Sequence, residues 1–140
     1  MIAHSKIWLH VIIYTHNKLP LILPDNESKI YSILSDCFSN QDTKVEKMNG
    51  TSEHIHIKLL LNPGKSLNEV VQNVMIESEQ IINQELFKAG SFQWSKEYSA
   101  FSISESQLTK VSEYIDNQKE FHKQKLFQKE IEEFHRLHGI

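Results

Sequence analysis

Apolar and polar positions alternate from Ser5 to Thr15. Ile7, Leu9, Val11 and Ile13 fall on one side, and Trp8, His10, Ile12 and Tyr14 on the other. The β-branched and aromatic content predicts a strand. Pro20 and Pro24 punctuate a loop, after which the apolar spacing becomes helical. Asp25 or Asn26 caps a predicted helix to about Asn40, with Ile30, Ile33, Leu34, Cys37 and Phe38 on one stripe. Thr43 to Met48 and His54 to Leu61 read as strands, with Asn49-Gly50 as a tight hairpin that exploits positive φ. Asn62-Pro63-Gly64 is a turn. Ser66 caps a helix to about Phe87, with Leu67, Val70, Val71, Val74, Met75, Ile81 and Ile82 inward. Phe92–Trp94 and Tyr98–Ile103 are two short strand candidates. Ser104 and Gln107 match a capping box that opens a helix through Leu108, Val111 and Tyr114 to about Gln118. A last helix is expected from Lys125 to Leu137.

Strand, helix, strand, strand, helix, strand or strands, helix, helix is the ferredoxin-like order with a C-terminal helical addition. The expected fold class is α+β, an antiparallel sheet with helices on one face and a C-terminal helix carrying Tyr114. At 140 residues, with no linker or low-complexity tract, the chain is expected to form a single domain, 1–140.

Composition narrows the picture. The content is 39% apolar and 24% charged, ordinary for a globular protein. The longest apolar stretch, Ile7 to Tyr14, contains His10 and is too short to span a bilayer, so no membrane partner and a cytoplasmic location are expected. One cysteine excludes an internal disulfide and a multi-thiolate zinc site, and its place on an apolar stripe predicts an inert, buried thiol. The net charge of −3 argues against general nucleic-acid binding. It leaves room for a local basic surface: the segment up to Pro24 holds Lys6 and Lys18 and no acid.

Two motifs carry candidate chemistry. His54 and His56 are two apart on a predicted strand and point the same way, which suits either a solvated face or metal ligation. Tyr114 and Gln118 are four apart on a predicted helix and stack on one side. Periodicity allows Tyr114 to be a core ring or a ring aimed at the sheet, and a carboxamide oxygen is a plausible ligand for a hard cation. His10 lies opposite the aliphatic side of its strand, where it either packs or borders a binding surface. Pro63-Gly64-Lys65-Ser66 imitates the end of a phosphate-binding loop, but Leu59 occupies the position of the required first glycine, so no nucleotide is expected.

The chain resembles the single-tyrosine transposases of bacterial and archaeal insertion sequences, the IS200-like family of the HUH superfamily. The resemblance runs through Ser5-Lys6-Ile7-Trp8-Leu9-His10, Gly50-Thr51-Ser52-Glu53-His54-Ile55-His56, Phe92 to Ser102, Tyr114-Ile115-Asp116-Asn117-Gln118 and the C-terminal Phe127–Glu130 and His138–Ile140. It implies that His54, His56 and Gln118 bind Mg²⁺ or Mn²⁺ and that Tyr114 is the nucleophile. The implied reaction cleaves and rejoins single-stranded DNA through a covalent 5′-phosphotyrosine. The implied partners are DNA with hairpin ends and a second copy of the chain. Lys18, Lys96 and Lys110 are candidate backbone contacts, and Trp94 or Tyr98 a candidate stacking surface, each also readable as an ordinary surface lysine or core aromatic. A decayed or domesticated relative that grips hairpin DNA or RNA without cutting it is the alternative.

Overall fold

In the computed structural model, which describes residues 1, 4–88, 90–120, 132 and 136, the elements run β1 (Trp8–Thr15), α1 (Glu27–Asn40), β2 (Lys44–Gly50), β3 (His54–Leu60), α2 (Leu67–Glu85), β4 (Trp94–Ile103) and α3 (Leu108–Asp116). The four strands form one sheet in the order β2-β3-β1-β4, with every pair antiparallel. This is the ferredoxin-like arrangement that the element order implied. The expected helix from Lys125 to Leu137 lies outside the described residues apart from Glu132 and Arg136, both helical.

Alternation along β1 and β3 gives the sheet two chemically different faces. Leu9, Val11, Ile13, Ile55, Ile57 and Leu59 point toward α1 and α2. There they meet Ile30, Leu34, Phe38, Val70, Val74 and Ile82 in the larger core. Cys37 is buried in the same layer, and burial together with the nearby Glu77 carboxylate pushes its thiol up to about 12. Ile12, Ile103, Val111, Tyr114 and Ile115 form a smaller cluster on the opposite side, under α3.

Several boundaries differ from the sequence reading. β1 begins at Trp8 rather than Ser5, because its partner β3 ends at Leu60, to which Trp8 is paired. Asn49 and Gly50 are not the hairpin turn. Both belong to β2, paired with His56 and Ile55, and the chain turns at Thr51–Glu53. Gly50 has no positive φ. A Cβ there would run into the His54 carbonyl oxygen and come within 2.7 Å of Ile55 Cα, so close backbone approach requires the glycine.

The two short candidates after Phe92 are one strand, β4. Thr15 pairs with Trp94 and Ile13 with Tyr98, so Ser95, Lys96 and Glu97 bulge opposite Tyr14. Their polarity suggested a break, but β4 is an edge strand, where such residues are tolerated. Ser66 accepts a hydrogen bond from the Glu69 amide as an N-cap of α2, as expected. The capping box does not form. Ser104 Oγ bonds Ser106 Oγ, and a 3₁₀ turn, Glu105–Gln107, leads into α3. Helix α3 ends at Asp116, and a turn at Asn117 precedes Gln118.

Candidate active site

The α3 face of the sheet gathers the polar residues of the central strands. Register places His56 beside Ile12, His54 beside Tyr14 and His10 beside Lys58. His10, His54 and His56 are each fully buried. Buried imidazoles need partners, and these have them. Thr51 Oγ1 lies 2.9 Å from His54 Nδ1, and His10 Nε2 lies 2.9 Å from His56 Nδ1. The hairpin turn therefore serves the first histidine, and the neighbouring strand the second.

Helix α3 closes over them. Val111, Tyr114 and Ile115 are its buried stripe. The Tyr114 ring stands edge-on to His56, with centroids 5.4 Å apart, and to His10 at 5.9 Å. Tyr114 is 9% exposed, so the assembled group is closed to solvent. Gln118 is fully buried. Its Nε2 turns back to donate to the Tyr114 carbonyl at 3.4 Å, and its Oε1 has no hydrogen-bond partner among the described residues.

Polar contacts pin α3 to β2. Asn49 Nδ2 donates to the carbonyls of Ile115 and Asp116, satisfying helix-terminal acceptors. Lys47 makes a two-oxygen ion pair with Asp116 at 2.8 Å and 2.9 Å. Lys119 Nζ donates to Asn49 Oδ1 and the Gly50 carbonyl and pairs with Glu27. At the other end, Lys58 is buried between sheet and helix. Its ammonium donates to Ser112 Oγ (2.8 Å), Glu46 (3.1 Å) and the Leu108 carbonyl (3.4 Å), and it sits over the Trp8 ring.

The chain matches a family model described as "Transposase IS200 like" over residues 3–118. It belongs to the IS200-like transposase family. Among solved structures, it is similar to a Deinococcus radiodurans R1 protein assigned as a transposase. The TM-score is 0.66 at 17% identity, covering 83% of this chain and 93% of that one. It is also similar to a REP-associated tyrosine transposase bound to a REP hairpin. There the TM-score is 0.65 at 10% identity, covering 87% of this chain and 72% of the other. At such identities the likeness is one of fold. A search of curated proteins gave no match.

Measured against this transposase fold, the predicted residues divide into groups. Tyr114 and His56 are in ring contact, and His54 stands beside His56 with centroids 5.1 Å apart. Gln118 is buried one helical turn beyond Tyr114, although past the end of α3. Lys18, Lys96 and Tyr98 line one cleft of about 680 Å³, together with Tyr14 and Ser99. Tyr14 is the register partner of His54 and hydrogen-bonds Ser99 at 2.8 Å, so the cleft opens at the histidine end of the sheet. Tyr98 packs toward the larger core and donates to Asn68, and burial raises its phenol. Trp94 is a core residue. Lys110 is exposed on α3 and does not line that cleft.

Thr51 and Lys58 escaped the sequence reading, and His10 was left between packing and surface. Alternation had already put His10 and Lys58 on the same sides of their strands as Tyr14 and His56. Only the β1–β3 register brings those sides together. Among the described residues, no three His, Cys, Asp or Glu side chains group as a metal site, and no helix is long and apolar enough to cross a membrane.

Proposed function

We propose that this transposase, acting as one domain in the cytoplasm, cuts and rejoins single-stranded DNA with Tyr114 as nucleophile beside a divalent cation on His54, His56 and Gln118. The observation carrying this reading is the closed cluster itself. Tyr114 packs on an imidazole whose Nδ1 is already engaged, and the buried carboxamide oxygen of Gln118 has no partner among the described residues. The donors fit the group. With Nδ1 engaged on both histidines, Nε2 would be the ligating nitrogen, and the Gln118 Oε1 would be a hard-oxygen ligand suited to Mg²⁺ or Mn²⁺. A bound cation would polarise the phosphate oxygens there.

The Tyr114 oxygen forms a bond to phosphorus while the bond from phosphorus to the 3′ oxygen breaks. The phenol gives up its proton, and the departing 3′ oxygen takes one. The product is a 5′-phosphotyrosine and a free 3′-hydroxyl. A tyrosine with the usual pKa near 10 is a weak nucleophile at neutral pH, so the surroundings must favour its ionised form during attack. Rejoining reverses the step and needs no nucleotide, since the ester bond is conserved. With Tyr114 and the histidines this buried, DNA gains access only when α3 shifts from the sheet.

The substrate is single-stranded DNA with hairpin ends. The hairpin bound by the REP-associated neighbour supports this, as does the cleft holding Lys18, Lys96 and Tyr98 beside the histidine end. Lys110, exposed near the start of α3 and away from this cleft, is a separate candidate backbone contact. The working unit is a homodimer, in keeping with two element ends to be cut.

The test is incubation with labelled hairpin DNA from the flanking locus and Mn²⁺ or Mg²⁺, followed by a denaturing gel. A metal-dependent covalent band that Tyr114→Phe abolishes while hairpin binding persists is expected. Unchanged adduct in Tyr114→Phe removes Tyr114 as nucleophile. Binding without any adduct in the wild type favours the non-cutting hairpin-binding alternative.

A further inference from the structure

We infer that His10 is a positioning residue that fixes the ring state of His56 and supports Tyr114, an inference resting on the ligand and nucleophile roles proposed above. His10 is fully buried on β1 and contacts both halves of the cluster. Its Nε2 is 2.9 Å from His56 Nδ1, and its ring meets Tyr114 edge-on at 65°. The three rings also close on one another through His56 and Tyr114.

Proton accounting gives the contact its meaning. Two neutral imidazoles with nitrogens at hydrogen-bond distance share one proton between them, so one donates and the other accepts. A His56 that ligates through Nε2 keeps its lone pair there and carries hydrogen on Nδ1. That N–H then donates to His10 Nε2, and His10 must be the Nδ1–H tautomer. The opposite arrangement, with His10 donating, leaves the proton of neutral His56 on Nε2 and blocks ligation. With His10 as the Nδ1–H tautomer, its Nε2 accepts from His56, and the pair holds His56 in the ligating tautomer and stops it from turning. Thr51 stands in the equivalent place for His54, with a hydroxyl that rotates to donate or accept.

The experiment measures Mn²⁺ binding to the full chain, with free Mn²⁺ followed by electron paramagnetic resonance and folding by thermal melts. His10→Leu fills the space without an acceptor, and a roughly 10–100-fold loss of Mn²⁺ affinity is expected. His10→Gln puts an amide oxygen near the Nε2 position and should restore most of it. Ile12→Val, on the same face, should leave affinity unchanged. Folded His10→Leu with wild-type affinity, while His56→Ala binds weakly, overturns the role of His10 alone. Absence of Mn²⁺ binding by the wild type, or His56→Ala with full affinity, overturns the metal reading and this inference with it. Should His10→Leu not fold, long-range proton–nitrogen NMR of the Mg²⁺-loaded wild type decides. Hydrogen on His10 Nδ1 is expected, and hydrogen on its Nε2 overturns the inference.

Discussion

One face of the sheet sets Val11, Ile13, Ile55, Ile57 and Leu59 against two helices, while the other sets His10, His54, His56 and Lys58 under one. The same strands supply both. In β3 the alternation His54-Ile55-His56-Ile57-Lys58-Leu59 sends every polar side chain one way and every apolar one the other. The α1/α2 side is a dry layer whose worth lies in area removed from water. The α3 side buries polar groups that each need a specific partner, and it is held at its edges by Asn49, Lys47, Lys58 and Lys119. Stability is concentrated on one side and the proposed chemistry on the other, under a helix docked by a small apolar cluster and polar contacts.

Substitutions on the two faces should separate these roles. The largest effect is expected from Phe38→Ala, in the middle of the dry layer. Truncating a fully buried phenylalanine typically costs about 3–5 kcal/mol, read as a lowered urea midpoint. Adduct formation per folded molecule should be unchanged. A specific loss of chemistry in that variant would break the division between faces.

Lys58→Ala should cost about 2 kcal/mol, because Ser112 Oγ and the Leu108 carbonyl lose their buried donor and a cavity opens under α3. Lys58→Met, which keeps the volume, should recover part of that in the same urea titration. Equal stability of Lys58→Ala and wild type would mean that this buried ammonium does not hold the helix.

Lys47→Ala should change stability by less than about 1 kcal/mol, since its pair with Asp116 is partly exposed and screened by salt. Hydrogen exchange of α3 amides should nevertheless speed up in this variant at low salt, with amides of α1 unaffected. Uniform acceleration across both helices would place the two faces in one cooperative unit.

Much of this organisation was readable in advance, and the misses have a common cause. The helix stripes of α1 and α2 and the shared face of His54 and His56 follow from residue spacing. Tyr114 joins Val111 on the buried stripe of α3 for the same reason. Asn49-Gly50 misled because glycine has two uses. The sequence suggested positive φ, whereas the fold needs a missing Cβ against His54. Ser95-Lys96-Glu97 looked like a strand break because a bulge on an edge strand has no periodic signature. The end of α3 before Gln118 depends on Asn49 capturing its last carbonyls from another element.

By itself, then, the sequence determined the period of the helices and central strands, the side on which the residues of β1 and β3 stand, and the family to which the chain belongs. Spacing along a backbone is a local property, fixed by the geometry of strand and helix. The tertiary structure decided which sides meet. The antiparallel register of β1 on β3 brought His10 to His56, and the docking of α3 on β2 and β3 turned Tyr114, Gln118 and Lys58 into buried groups. Those contacts join residues far apart in the chain, and the free energy that selects them is the burial of whole faces, which no local pattern contains.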